Sequence, residues 1–272
     1  MPRYVAWENE GWEDSVYISW HTNAFAGTSR GTSSFAYASG GWDAAFNGVA
    51  GSLELRHLVH TELINDLRAA FDPLWGDRGE HTNWYGEINP NYNNETPGVI
   101  YEMAFHDNAT DALYLQNPYF RMTLARAVYQ GIAKYFADRD GDPTYTLLPE
   151  PPTHFRVLNS GGGEITLSWN APPYDTGDGL YGDAAEGYRV YRSFDGVGFD
   201  DGTAVTGTTW TDITVPEGTV AYYRVTAANA GGESFPTETL AARASTGSVT
   251  ILVVTAFDRM DQGLIVVTDD PY

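Results

Sequence analysis

The chain has 272 residues, of which 42% are hydrophobic and 14% aromatic, so it has enough apolar material for two packed domains and is not a disordered, collagenous or coiled-coil protein. Its 36 acidic residues outnumber 15 basic ones and give a net charge of -21, which repels phosphate backbones and excludes nucleic acid as an expected partner. Because the chain has no cysteine, any transition metal must be bound by His, Asp or Glu.

The N-terminal half alternates short strand-like runs with long helical patterns, which predicts an α/β layered fold. Strands are expected at Ser15–Trp20 and Gly98–Tyr101. An apolar residue recurs every fourth position from about Ser52 to Phe71, which predicts a helix. A second helix is expected to begin at Asn117-Pro118, because Asn caps helices and Pro favours their first turn, and to end near Asp138.

A turn-rich segment, DRDGDPTYTLLPEPPT, separates this half from a differently patterned region. After it the chain shows short alternating strands, among them Ile165–Trp169, Gly187–Tyr191 and Tyr222–Ala227, which predict an all-β sandwich. We therefore expect a domain over residues 1–140, a linker over 141–150 and a β-domain over 151–246. Residues 247–272 are interpreted as a terminal strand or the start of a further module.

No apolar run approaches the ~20 residues that cross a bilayer, so we predict no membrane span. The N-terminal sequence MPRYVAWENEGWEDS is acidic, whereas a signal peptide is first basic and then apolar. We therefore expect no signal peptide in this chain. The sequence carries no indication of oligomeric state.

Two side chains are placed where strands of an α/β sheet present functional groups. His21 is expected just past the end of a buried strand, and the apolar run from Gly98 leads to the carboxylate of Glu102. Burying a carboxylate costs several kcal/mol unless it is paired, so such a position needs a reason. The alternatives are a histidine that is hydrogen-bonded in a loop and a glutamate in water on an edge strand.

The other histidines are weaker candidates. His57 and His60 lie three apart on one predicted helix, on the side away from its apolar stripe, so we expect them on a solvated surface. His106 follows Glu102 closely and is expected near the same cleft. No function is assigned to His81 or His154.

Four features in order carry a resemblance to a known family. They are the run YISWHTNA (17–24), the pair Arg78-Gly79, the run VIYEMAF (99–105), and Asn117-Pro118 followed by the helix over 125–136. Their order and spacing over about 120 residues resemble the zinc-dependent N-acetylmuramoyl-L-alanine amidases, the type 3 amidases of bacterial cell walls. The first half is thus expected to be an α/β layered amidase-like domain.

The resemblance implies a hydrolase that cleaves the amide between muramic acid and L-alanine in peptidoglycan. In that family the histidine of the Ser-x-His-x-Asn run binds Zn²⁺ and the glutamate of the later strand is the catalytic acid/base, which here are His21 and Glu102. Asn23 would orient the site or the substrate. Peptidoglycan is then the expected partner, and the expected location is extracellular or in the bacterial cell envelope.

The family holds zinc through three residues, two of which come before the Ser-x-His-x-Asn run. Only 20 residues precede His21 in this chain, and none of them is a histidine. We therefore expect an N-terminally truncated catalytic domain, which is a fragment of a larger secreted amidase and becomes active when the full domain is present.

The second half resembles fibronectin type III modules. The resemblance rests on the strand ITLSW (165–169), the run GYRVYR (187–192) and the run YYRVTAAN (222–229) followed by GGES. It implies a sandwich that acts as a spacer or an attachment unit. Ala221 occupies a position where many such modules carry a tyrosine.

Two alternatives from other functional classes stay open. A degenerate amidase fold joined to a β-sandwich could be a non-catalytic protein that binds the cell wall or a surface. A carbohydrate-active enzyme could instead use a carboxylate pair such as Glu102 and Asp107, separated by ~5–10 Å across a sugar cleft.

Overall fold

The computed structural model describes residues 2–10, 14–37, 49–142, 144–175 and 179–247. These residues form two compact units, one ending at residue 142 and the other beginning at Thr144. The predicted further module lies outside the described residues from position 248 onward. Within the described part, no helix is long and apolar enough to cross a membrane.

The first unit consists of one four-stranded sheet and four α-helices, which confirms the predicted α/β class. Its elements in chain order are α1 (Pro2–Glu8), β1 (Tyr17–Asn23), β2 (Thr32–Ala36), α2 (Ser52–Ala70), β3 (Asp77–Thr82), a 3-10 turn (Gly86–Ile88), β4 (Gly98–Phe105), α3 (Ala109–Gln116) and α4 (Pro118–Asp140).

The sheet has the strand order β1-β4-β2-β3, so the sequence-distant strands β1 and β4 are neighbours. β1 runs parallel to β4, and β2 runs antiparallel to β4 and parallel to β3. One face, which we call the helix-covered face, packs Val99, Tyr101 and Met103 against α2 and α4. The opposite face, which we call the loop-covered face, packs Ile100 against Ile88 from the loop before β4.

The helices α2 and α4 approach each other at a glycine. A Cβ atom on Gly131 would lie 2.5 Å from Cα of Val59, so only glycine allows this backbone contact. One turn further along, the ammonium group of Lys134 donates to Glu62 Oε1 at 2.6 Å, and both side chains are at least 90% buried. The two helices are therefore locked by a close contact and a buried ion pair.

His60 corrects one expectation from the sequence. It is only 3% exposed and lies between the sheet and its helix, whereas His57 lies on the surface as expected. The ring nitrogens of His60 face Ser34 Oγ and Asp77 Oδ1, both at 3.0 Å. Since α2 packs on both the sheet and α4, its buried face is wider than the apolar stripe alone indicates.

In the residues that the structure describes, the second unit contains strands and no helix, and the strands form two sheets. Its strands are β5 (Thr153–Gly161), β6 (Glu164–Asn170), β7 (Gly187–Ser193), β8 (Thr203–Val205), β9 (Thr209–Asp212), β10 (Val220–Asn229), β11 (Gly232–Glu233) and β12 (Leu240–Arg243). One sheet has the order β5-β6-β9, and the other has the order β11-β10-β7-β8 with β12 also paired to β10.

The core of the second unit is built around aromatic side chains. Trp169 and Tyr223 are both buried, and the hydroxyl of Tyr223 donates to Asp212 Oδ2 at 2.9 Å. Ala221 is fully buried on the same strand as Tyr223. The three strands that the sequence predicted lie within β6, β7 and β10.

Candidate functional site

His21 and Glu102 lie side by side on neighbouring strands. They are register partners of the parallel pair β1 and β4, so their side chains emerge on the same face of the sheet. The sequence placed both residues at strand ends, and this was wrong. β1 continues to Asn23 and β4 to Phe105, because residues beyond His21 and Glu102 still pair with each other.

The imidazole of His21 is held by a carboxylate from the loop before β4. Its Nε2 atom lies 2.8 Å from Glu87 Oε2 and 3.0 Å from Ser19 Oγ, and the Ser19 hydroxyl donates to the same carboxylate oxygen at 2.5 Å. Glu87 sits in the 3-10 turn, which brings it over β1. The sequence analysis missed Glu87, because no local pattern distinguishes it within an Asn-rich loop.

Glu102 has an unsatisfied carboxylate oxygen. Its Oε2 atom is buried and has no hydrogen-bond partner among the described residues. Burial raises the pKa of Glu102 above its usual value, and the charge of Glu87 raises this pKa further, while His21 and His106 oppose the shift. A carboxylate that is poorly solvated and prone to protonation has the properties of a general acid/base.

Asn23 lies two residues beyond His21 and lines a cavity of about 240 Å³. Its Oδ1 atom accepts a hydrogen bond from the backbone nitrogen of Ala24 at 2.8 Å, which fixes the amide. Ser33, the register partner of Glu102 on β2, also lines the cavity. The cavity therefore adjoins the row of the sheet that contains His21 and Glu102.

The neighbouring loops are fixed by a buried carboxylate. Asp111 is 0% exposed, and its two oxygens accept from Arg30 Nε at 2.8 Å and from the backbone nitrogens of Gly31 at 3.0 Å and Phe105 at 3.1 Å. Asn108 caps the helix that carries Asp111. This network ties the segment after β1 to the end of β4 and so holds the rim of the site.

His106 and Asp107 lie at the same end of the sheet. His106 Nδ1 is 3.0 Å from Thr22 Oγ1, and it interacts electrostatically with Glu102, as expected for a residue near the cleft. Asp107 accepts a hydrogen bond from the backbone nitrogen of Gly27 at 2.9 Å. Backbone hydrogen bonds, chiefly this one, lower the pKa of Asp107. Its carboxylate is thus engaged by the backbone of the loop after β1.

The described residues do not complete a zinc site. A catalytic zinc normally takes three protein ligands, and no group of three or more His, Asp or Glu side chains in the described ranges is arranged to hold a metal ion. The ring nitrogen of His21 that faces the site is bonded to Glu87. The ligand set implied by the resemblance is thus represented here by His21 alone.

Comparison with protein families shows what the first unit is similar to. The profile of the N-acetylmuramoyl-L-alanine amidase family matches residues 5–134, slightly less than half of the chain. An uncharacterised cell wall amidase of Bacillus anthracis is 30% identical over 121 residues, which are 44% of this chain and 21% of that protein. The chain thus spans about a fifth of the length of this curated relative. Both matches support the resemblance of the first unit to type 3 amidases.

Solved structures give weaker likenesses. The CwlD amidase of Clostridioides difficile, solved with the GerS lipoprotein, is 21% identical, with a TM-score of 0.39 over 50% of this chain and 60% of that one. Titin domains A168–A170 are 23% identical, with a TM-score of 0.32 over 36% of this chain and 32% of that one. Both TM-scores lie below 0.5, so neither likeness establishes a shared function.

Proposed function

We propose that the first unit is an N-acetylmuramoyl-L-alanine amidase-like hydrolase, which cleaves the amide between muramic acid and L-alanine in peptidoglycan. The observation that carries the proposal is the pairing of His21 with Glu102 in one row of the sheet, inside the segment that matches the amidase family. The unsatisfied oxygen of Glu102 supports its assignment as the catalytic acid/base.

Glu102 would move the proton that amide hydrolysis requires. In its ionised form Oε2 accepts a proton from the attacking water, and the protonated carboxyl group then passes it to the departing amine of L-alanine. The raised pKa of Glu102 supports this role, because an acid/base works best when its pKa is close to the operating pH.

His21 and Asn23 would position the substrate and the site. The pair with Glu87 fixes the imidazole of His21 beside Glu102, and the amide of Asn23 lines the adjacent cavity. The family resemblance supports His21 as a zinc ligand. Zinc dependence is part of the same proposal.

The rest of the chain fits the same setting. We propose an extracellular or cell-envelope location, where peptidoglycan is accessible. The second unit, with its buried Trp169 and two sheets, is proposed to be a fibronectin type III module that acts as a spacer or an attachment unit.

Turnover and metal content of the full chain test the proposal together. Purified chain, alone and joined to an upstream amidase half that supplies the two earlier zinc ligands, is incubated with muramoyl-L-alanyl peptides. Newly released L-alanine amino termini are quantified by mass spectrometry, and zinc per chain is measured by elemental analysis. In the joined form we expect release to fall at least about 100-fold in Glu102→Gln, since acid/base catalysis contributes on the order of 10²–10⁴-fold. Glu54→Gln, an exposed glutamate on α2, is the matched control.

Unchanged release in Glu102→Gln would contradict the assignment of this residue. If the chain neither binds zinc nor releases stem peptide but does bind insoluble peptidoglycan, the non-catalytic wall-binding alternative is favoured. That alternative is favoured by one observation, namely that His21 faces a carboxylate partner and no complete ligand set is found in the described residues.

A further inference from the structure

The cavity next to the row of Glu102 is lined by an arginine that has no carboxylate partner among the described residues. Arg78 lines the cavity together with Asn23, Ser33 and His81. Within the described part of the chain, its guanidinium makes no ion pair and instead stacks over the ring of Phe105, 5.1 Å from the ring centroid. A guanidinium that lines a cavity and forms no ion pair in the described residues can attract an anionic ligand, which the net charge of -21 does not otherwise favour.

The backbone around Arg78 is held in place. His81 Nε2 lies 2.8 Å from the carbonyl oxygen of Arg78, and the ring of His81 packs on Phe35 at 5.1 Å between centroids. Gly79 has a φ of 90° and donates its backbone N–H to Asp77 Oδ1 at 2.8 Å. These contacts fix the strand start that presents the guanidinium, which lowers the ordering cost of binding a ligand there.

Arg78 also lies at a defined distance from Glu102. Ser33 pairs with Glu102 across β2 and β4, and the register of β2 with β3 leaves Arg78 and Gly79 opposite Ser33. Two strand spacings of about 4.8 Å place the Cα atoms of Glu102 and Arg78 roughly 10 Å apart. An extended dipeptide spans about 7 Å. The long arginine side chain can cover the remaining distance between the Arg78 backbone and a group at the far end of such a dipeptide.

We propose that Arg78 binds the free carboxylate of the second stem-peptide residue, two positions beyond the amide that Glu102 would help to cleave. This inference rests on the proposed function and deepens it, because it makes the site selective for a stem peptide with an acidic second residue. A guanidinium suits this task, since it can donate two parallel hydrogen bonds to one carboxylate.

Binding to the full chain tests the proposal without turnover. The probes are muramoyl-L-alanyl-γ-D-glutamyl-L-lysine and muramoyl-L-alanyl-γ-D-isoglutaminyl-L-lysine. Because the γ-carboxyl group of the second residue forms a peptide bond in both, they differ only in whether its α-group is a carboxylate or an amide. Calorimetry on the 272-residue chain is expected to show at least about tenfold tighter binding of the carboxylate form. Arg78→Met should remove this preference, and Arg78→Lys should keep part of it.

The matched control is Arg156→Met, which removes an exposed arginine from the second unit and should keep the full preference. Equal affinity of the wild-type chain for both probes, a preference that survives Arg78→Met, or no binding of either probe would overturn the proposal. The proposed function is tested separately. If the chain prefers the carboxylate probe but releases no stem peptide, the Arg78 subsite stands and the amidase activity is refuted. If the chain releases stem peptide but Arg78→Met leaves the preference unchanged, the activity stands and the Arg78 subsite is refuted.

Discussion

Histidine and acidic side chains lie on both faces of the first sheet, but their hydrogen bonds differ between the faces. On the helix-covered face, both ring nitrogens of the buried His60 have oxygen partners, Ser34 and Asp77. On the loop-covered face, His21 is half-buried against Glu87, and Glu102 keeps a buried oxygen without a partner. The partners of His60 stabilise the fold, whereas the Oε2 atom of Glu102 keeps lone pairs that can accept a hydrogen bond or a proton.

The largest effect should come from a fully satisfied carboxylate. Asp111→Ala removes the partner of Arg30 and two backbone hydrogen bonds from a site that is 0% exposed, so we expect the free energy of unfolding to fall by about 3 kcal/mol or more. Denaturant unfolding measures it. Asp107→Ala, at an exposed position, should cost far less than Asp111→Ala, and equal costs would refute the distinction.

The two histidines of α2 form a second matched pair. His60→Ala should lower the free energy of unfolding by about 2–3 kcal/mol, because it leaves a cavity and an unpartnered Ser34 hydroxyl beneath the helix. His57→Ala, three residues earlier on the exposed side, should change it by less than about 0.5 kcal/mol. Thermal unfolding of both variants measures this difference. Equal shifts of the two midpoints would contradict the expected difference between the buried and the exposed histidine.

The close contact under the helix-covered face should cost somewhat less to disturb. Gly131→Ala forces a methyl group against the backbone of Val59, and we expect a loss of about 2 kcal/mol through overpacking. Gly207→Ala makes the same chemical change where no atom lies within 4 Å, so its unfolding transition should stay close to that of the wild type. A stable Gly131→Ala variant would show that the two helices can separate without penalty.

The last comparison concerns the order in which Asp77 and Glu102 titrate. We expect it to involve the smallest effect and to separate the two faces most directly. Burial raises the pKa of Asp77, but hydrogen bonds from His60 and Gly79 outweigh it and bring that pKa below its usual value, whereas the pKa of Glu102 is raised, chiefly by burial. Asp77 therefore stabilises the fold above its unfolded pKa and loses this contribution as the pH falls through its folded pKa.

Glu102 has the opposite sign. Its contribution to stability is greatest below its unfolded pKa and declines as the pH rises through its folded pKa, because the native state then gives up a proton in a poorly solvated site. Carbon-detected NMR titration of the carboxyl groups should show Glu102 titrating at a higher pH than Asp77. The reverse order would remove the electrostatic difference between the faces.

Local features of the first unit could be predicted from sequence. The four-residue apolar spacing gave the helix that forms over Ser52–Ala70, and Asn117-Pro118 marked the start of α4, where the Asn117 side chain accepts from the backbone nitrogen of Tyr119. These predictions succeeded because caps and periodicity act within a few residues along the chain.

Contacts between distant segments could not be predicted in this way. Glu87 reaches His21 across 66 positions, and Arg30 reaches Asp111 across 81. His60 was misjudged because its partners come from two strands that the helix pattern does not reveal. Motif resemblance selected His21 and Glu102, but the cavity with Arg78 depends on the register of β2 and β3, which only the folded structure provides.

The buried pair between Glu62 and Lys134 has a practical consequence for handling the protein. Lys134 is the only lysine in the sequence, and its side chain is 9% exposed. Amine-directed reagents therefore meet no exposed lysine side chain within these 272 residues. Succinimide-ester dyes should label Lys134 only when α2 and α4 come apart, so that its labelling reports the opening of this helix pair.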